Sequence, residues 1–398
     1  MSHLQYIKLK DCCDVVGGST PKRNVPEYWQ NDIPWVTPKD ISSLESPFLN
    51  DAPEYISKKG YNSCSTSLLP KNSILLTSRA PIGNVAIAGR EMCTNQGFKS
   101  LIPHNGVDFL YLYYCIKHNS SKLQALGNGA TFKEVSKKIV EDFEIPLPLL
   151  EEQKRIAAIL DKADAVRRKR QQAIQLSEQL LRSVFLDMFG DPFTNSKGFK
   201  LVKISDIGEI ITGNTPSREK KQYYGSEIEW IKSDNINTPF HYLTKADEYL
   251  SEEGKLVGRY APEDSVLITC IAGSKNCIGN IAMTDREVAF NQQINAVIPN
   301  EKTLIYFLYA QLFFNKKIIQ NASTNSMKGM VSKSRLSNIE ILFPPIAEQE
   351  KYAQFFSKAL KKIQKDNLAF MVSDKFFNSL TQRAFRGELS KKSNIELA

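Results

Sequence analysis

Apolar positions along the chain keep two rhythms, and the rhythms alternate. From residue 7 to about residue 148 they come in short runs broken by Gly, Pro and Asn. SILLTS (73–78) and SVLITC (265–270) are continuous apolar runs rich in β-formers and predict buried strands. NVAIAG (84–89) and NIAMT (280–284) follow after a glycine turn and predict the return strands of hairpins. DFLYLYYCIKHN (108–119) and TLIYFLYAQLFFN (303–315) predict amphipathic aromatic helices, and DFEIPLP (142–148) and NIEILFPP (338–345) predict closing strands. The rhythm then changes to seven. Leu160, Arg167, Ile174, Leu181 and Met188 form one heptad series, with Ala163, Ser177 and Val184 beside it. Phe356, Ile363, Phe370, Phe377 and Ala384 form another, with Ala359, Ser373 and Leu380 beside it. A sustained heptad predicts a coiled-coil seam, which a lone helix would leave exposed to water.

The alternation is an internal repeat. IKLKDCCDVVGGSTP (7–21) matches VKISDIGEIITGNTP (202–216) without a gap, so Pro21 recurs as Pro216 and Trp35 as Trp230. IGN recurs at 82–84 and 278–280, Asn95–Gln96 as Asn291–Gln292, and Gln153 as Gln349. Independent blocks holding almost one register indicate duplication. The expected fold class is α+β: two similar β-rich domains with curved, mostly antiparallel sheets, separated by two long helices packed as an antiparallel coiled coil with pseudo-twofold symmetry. Residues 1–148 and 196–344 are the two domains, 149–195 the central helix region and 345–398 the C-terminal one. Pro146, Pro148, Pro344 and Pro345 mark the strand-to-helix boundaries, since proline suits neither a ladder nor a helix interior. Glu151, Glu152, Glu348 and Glu350 suit the positive end of a helix dipole. Arg167 and Arg170 interrupt one seam and Asp366 and Asn367 the other at similar depth, so a central Arg–Asp pair is expected to set register.

Composition narrows the function. Lys plus Arg is 52 against 43 acidic residues, a net charge of +9, which makes a polyanionic partner plausible. The basic residues are scattered, as on folded binding surfaces. Seven cysteines without regular spacing fit reduced thiols in a cytoplasm, and no apolar run predicts a membrane span or a signal-peptide core. The chain has no GxxxxGK[ST] phosphate loop, its four histidines do not cluster in sequence, and Cys270 and Cys277 lack zinc-finger spacing. Neither a metal nor a catalytic set is expected in this chain.

Two like domains carried on long helices suit a double helix, which offers two half-sites at a fixed separation. Candidate DNA contacts are polar residues on turns: Lys22, Arg23, Lys39, Arg79, Asn95, Gln96, Thr131 and Lys133 in the first copy. In the second they are Arg218, Lys220, Lys221, Lys232, Lys275, Asn291, Gln292, Gln293, Ser326 and Lys328. Lys and Arg neutralise phosphates, while Arg, Asn and Gln can pair twice with purine edges. Trp35 and Trp230 read as core markers of the repeated fold. On residues alone, a nuclease with an unrecognised site and a scaffold using only its helices remain open.

The chain also resembles the specificity subunit of type I restriction-modification enzymes over nearly its whole length. The resemblance rests on IPLPLLEEQKRIAAILDKAD with LLRSVFLDMFGDP, on PPIAEQEKYAQFF with LTQRAFRGELS, and on the repeated GGSTP and GNTP. AEQEKYAQFF departs from the commoner EEQKRIA style. The resemblance implies that each domain is a target-recognition domain reading half of an asymmetric bipartite site in double-stranded DNA. It implies that the helices dock two methyltransferase subunits and that an ATP-dependent translocating endonuclease subunit joins them. S-adenosylmethionine and ATP with magnesium would then belong to those partners, with no cofactor held here. A specificity-like subunit of another modification or anti-phage system is the alternative.

Overall fold

A computed structural model describes residues 5–42, 44–79, 81–128, 133–324 and 329–389. The chain divides into two compact units that do not follow its order: Met1–Gln171 with Ala369–Ala398, and Gln172–Leu368. Each long helix, Leu150–Phe189 and Ile346–Phe385, is 40 residues and contributes half to each unit. Among the described residues no helix is long and apolar enough to cross a membrane.

In the first unit the opening strand Tyr6–Lys8 pairs antiparallel with the closing strand Glu144–Pro146. Pro146 is the last residue of that ladder, opposite Tyr6, where an edge position tolerates the missing N–H. A five-stranded sheet runs in the order Cys13–Gly17, Lys99–Pro103, Ile74–Leu76, Val85–Ala88, Phe48–Leu49. A three-stranded sheet has Ile33–Val36 between Glu54–Ile56 and Cys93–Thr94. The sheets are mixed: Ile33–Val36 runs parallel to Cys93–Thr94 and Phe48–Leu49 parallel to Val85–Ala88. The SILL run is buried throughout, as expected of a central strand with apolar neighbours on both faces. The helix Phe109–His118 starts at Asp108, whose carboxylate accepts from the Tyr111 N–H at 2.8 Å.

The second unit repeats the plan. Leu201–Lys203 pairs with Glu340–Leu342. One sheet runs Gly208–Thr212, Ile294–Pro299, Val266–Thr269, Ile281–Met283. Another runs Tyr249–Leu250, Tyr224–Ile231, Val288–Phe290, Tyr260–Ala261, with Tyr224–Ile231 parallel to Val288–Phe290. Ile305–Phe314 is the equivalent of the aromatic helix.

The long helices are held inside these bodies. In the first unit Ile156, Ala157 and Leu160 share one core with Tyr111, Leu112 and Ile116 and with Phe377, Ala384 and Phe385; Ala163 and Leu380 pack on it, partly buried. Arg167 reaches Asp374 at 3.5 Å, while Arg170 donates to the Ala369 carbonyl and the Ser373 hydroxyl. Rising numbers on one helix meet falling numbers on the other, so the pair is antiparallel. The expected central Arg–Asp pair takes a different acid: the register sets Arg167 opposite Asp374, while Asp366 is bound to Lys362 on its own helix at 2.5 Å.

In the second unit Ile174, Leu181, Phe356 and Ile363 are buried, and the Tyr352 hydroxyl donates to the Leu181 carbonyl at 3.2 Å. Val184, Met188 and Ala359 are only half-buried, as is Phe370 in the first unit. Phe185 and Phe189 take the inward places instead, 5.4 and 5.6 Å from the Tyr352 ring and close to Phe307. The reason is rotational. A straight α-helix lags about 20° per heptad, so four heptads after Leu160 the inward direction has moved nearly one residue, from Met188 to Phe189.

The glutamine repeated at both helix starts locks each helix to its body. Gln153, almost wholly buried, accepts from Asp108 N–H at 2.8 Å and donates to the carbonyls of Pro148 and Gly106 at 2.8 and 3.1 Å. Gln349 does the same with Leu304 N–H at 3.1 Å and the carbonyls of Pro344 and Lys302. One amide thus satisfies three backbone groups where strand, aromatic helix and long helix meet. Gln153→Ala or Gln349→Ala should cost on the order of 3 kcal/mol by orphaning those groups, read as a lower thermal midpoint.

His241 is buried against Tyr309, Phe313 and Phe356, with Nδ1 3.0 Å from the Tyr309 hydroxyl. Burial lowers its pKa from 6.5 to about 4. The unfolded chain therefore takes up a proton that the folded chain refuses. His241 contributes its full stability above pH 6.5 and loses it as pH falls toward 4, on the order of 3 kcal/mol in all. Thermal unfolding between pH 6.5 and 5 should show this slope, and His241→Phe should flatten it.

Candidate nucleic-acid interface

The repeated glycine–threonine–proline loop lies against the repeated Asn–Gln turn. A Cβ on Gly18 would fall 2.2 Å from the carbonyl oxygens of both Thr94 and Asn95; on Gly213 it would fall 2.2 Å from that of Asn291 and 2.4 Å from that of Phe290. Only glycine lets these backbones approach so closely. The loop is tied there by Ser19 N–H to Thr94 O and Asn214 N–H to Phe290 O, both at 3.0 Å. The turn is tied in its turn to the tryptophan strand, Asn95 N–H to Val36 O and Asn291 N–H to Ile231 O, both at 3.0 Å.

On this scaffold the two copies place matching side chains. Thr20 donates to Gln96 at 2.5 Å, and Thr215 donates to Gln292. The indole of Trp35 donates to Ser19 O at 3.0 Å, and that of Trp230 to Asn214 O at 3.2 Å. Both tryptophans are buried, as core markers should be, yet each also carries a guanidinium. Arg23 lies 3.8 Å over the Trp29 ring and 4.7 Å over Trp35; Arg218 lies 4.5 Å over Tyr224 and 4.9 Å over Trp230. Arg23 binds Glu54 through two parallel hydrogen bonds of 2.7 and 2.9 Å. Arg218 ion-pairs with Glu248 at 2.7 Å, and Lys232 binds the other carboxylate oxygen. The Arg23 hydrogen bonds hold Glu54 below the usual carboxylate range, and Arg218 and then Lys232 do so for Glu248.

The other candidates divide by what the tertiary structure does with them. Gln96 and Gln292 are exposed. Asn291 is buried and Asn95 half-buried. Asn95 accepts from Gly97 N–H at 2.9 Å and Asn291 from Gln293 N–H at 3.1 Å, shaping the turn itself. Gln293 is also engaged, accepting from Ser233 and from Asn291 at 3.2 and 3.1 Å. Arg79 stands beside the first turn, since Ser78 N–H donates to Gly97 O at 2.8 Å, and it pairs with Glu134 at 3.0 Å. Lys22, Lys39, Lys133 and Lys221 are exposed, Lys220 lies 3.3 Å from the Tyr223 hydroxyl, and Lys275 sits on an exposed turn. Thr131, Ser326 and Lys328 lie outside the described residues.

Glu54 and Glu248 are the residues that reading the sequence missed. Their signal is present as APEYIS (52–57) and ADEYLS (246–251), a further block of the repeat. Its serines cap short helices by accepting from Gly60 and Gly254 N–H. Among the described residues no three His, Cys, Asp or Glu are placed to share a metal, and burial lifts the Cys93 and Cys270 thiols to about 12.

A family model described as the type I restriction modification DNA specificity domain matches residues 1–176 and again 196–369, once over each copy of the repeat. The chain belongs to this family. It is a DNA-specificity subunit of the type I restriction-modification class. The specificity subunit of the MjaIX type I restriction enzyme of Methanocaldococcus jannaschii is 28% identical over 411 residues, covering 96% of this chain and 92% of that one. The EcoR124I/EcoR124II specificity subunit of Escherichia coli is 32% identical over 157 residues, 38% of each chain. The crystal structure of the type I S subunit from M. genitalium superposes with a TM-score of 0.61 at 14% identity, covering 97% of each chain, which shows the shared fold.

In this specificity subunit the close backbone approach leaves no room for a side chain at Gly18 or Gly213. Gly18→Ala or Gly213→Ala should each cost about 1–3 kcal/mol through overpacking, and should weaken DNA binding by shifting the loop that carries Thr20 and Arg23 or their counterparts. Thermal melting and a DNA-binding titration check the two effects.

Proposed function

We propose that each unit reads one half of an asymmetric bipartite site in duplex DNA, and that the chain brings to that site two methyltransferase subunits and a translocating endonuclease subunit while doing no chemistry itself. S-adenosylmethionine and ATP with magnesium belong to those partners, and the complex works in the cytoplasm. The observation that carries this reading is the repeated ridge formed where the Gly–Thr–Pro loop is tied to the Asn–Gln turn: one backbone frame, used twice, with different side chains around it. Lys22 is replaced by Ser217, Thr37 by Lys232, Lys39 by Asp234 and Arg79 by Ile271 at the corresponding positions. A common frame explains two similar modes of docking, and the changed side chains explain two different half-sequences. The net charge of +9 supports a phosphate-rich partner.

Exchanging residues 1–148 for the corresponding domain of a relative tests this. Methylome sequencing of cells carrying the chimera with its partner subunits should show one half-site changed and the other kept. Affinity should fall with salt in both proteins. A change in both halves would refute the modular reading, and cleavage or methylation by the purified chain alone would refute a purely recognising role.

A further inference from the structure

Arg23 and Arg218 have a setting unlike that of the other basic residues on the ridge. Each has its guanidinium carbon within 4.9 Å of two aromatic ring centroids that stand nearly perpendicular to one another, and each is held by a carboxylate from another strand region. Yet their side chains remain 52% and 54% exposed, so the held guanidinium still faces outward. The same setting arises twice at the same place in the repeat, from Glu54 in one copy and Glu248 in the other.

Resting on the reading that each unit takes one half-site, we infer that Arg23 and Arg218 each read the edge of a guanine in their own half, and that Glu54 and Glu248 are positioning residues that aim them. The first argument is charge. Arg23 and Glu54 sum to zero, so the pair has little to offer a phosphate, where attraction comes from neutralisation. What the pair does offer is direction. A guanidinium has five N–H donors in a rigid fork; Glu54 engages Nη1 and Nη2 of Arg23, leaving Nε–H and the outer N–H groups. Two such donors match O6 and N7 of guanine in the major groove. The second argument is order. Rings beneath and a carboxylate beside the guanidinium fix it before DNA arrives, which lowers the entropy lost on binding. A phosphate contact needs no such aim, because a phosphate accepts from many directions. The second copy adds Lys232 to the same carboxylate, giving that trio a net charge of +1. There the lysine is the group suited to phosphate and the arginine the group suited to the base.

Lysine replacement separates these roles, since it keeps the charge and removes the fork. The full chain, assembled with its modification subunits, is challenged with a pool of duplexes randomised across the site. Arg23→Lys should lose about tenfold of its discrimination at one guanine of one half-site, and Arg218→Lys the same in the other half. In both, the slope of log affinity against log salt should stay unchanged. Glu54→Gln should weaken the same guanine preference as Arg23→Lys and make the slope steeper. Equal melting temperatures and intact assembly establish that the lysine variants fold. An unchanged base preference, with or without a uniform loss of affinity, overturns the inference, as does a shifted preference at a base other than guanine. If Arg23→Lys altered both half-sites, the one-unit, one-half reading itself would fail. If domain exchange behaved modularly while the lysine variants did not change specificity, the inference alone would fail.

Discussion

Neither long helix has a core of its own, and the rest of the structure follows from that constraint. A helix with an apolar seam must bury it, and here each half-helix does so in one globular body. Leu160 and Phe377 disappear into the first body beside Tyr114, and Phe185, Phe189 and Tyr352 into the second beside Phe307. Removing a side chain of this kind from water is worth about 1.5–3 kcal/mol. Each body therefore folds around a helix pair drawn from distant parts of the chain. Gln153 and Gln349 finish the junctions by meeting backbone groups that no regular element could satisfy.

Where the first helix leaves the apolar core, charge takes over the same task. Asp164 is fully buried and accepts from Arg167 at 2.9 and 2.7 Å and from Arg168 at 2.6 Å, with Lys117 3.8 Å away. A buried carboxylate left alone would be strongly unfavourable, and three cations around it meet that cost. Lys117 comes from the aromatic helix, where burial lowers its pKa, so the cluster joins that helix to the long one. Arg167 then continues across to Asp374 and lies 5.4 Å over the Phe377 ring. The polar interruption of the seam thus joins the two long helices through the Arg167–Asp374 pair and the Arg170 hydrogen bonds to Ala369 and Ser373.

The recognition ridge obeys a different rule, since its frame is constant and its fittings vary. The frame consists of backbone hydrogen bonds and two glycines, which tolerate no Cβ. Loops so fixed carry different side chains in the two copies, with Lys22 against Ser217 and Arg79 against Ile271. The exposed ion pairs on the ridge contribute little to stability at this degree of solvation. Their value lies in orientation.

The sequence by itself determined the periodicities, the repeat, the repeated glycines and the family, because all of these are set by spacing along the chain. It placed the buried strands SILL and SVLIT and the aromatic helices within a few residues of where they stand, and the starts of the two long helices within one residue. Only the tertiary structure decided which polar residue of each turn faces out. Asn95 and Gln96 are neighbours of similar chemistry, and the turn's own need for an acceptor takes the asparagine and leaves the glutamine exposed, bound to Thr20. Only the tertiary structure brought Glu54 to Arg23, 31 residues away, and both to Trp29. It alone moved the inward positions from Val184 and Met188 to Phe185 and Phe189, because a straight helix slowly turns away from a strict seven-residue count. Local pattern fixes which elements form; which side chains meet is settled by packing between residues far apart in the chain.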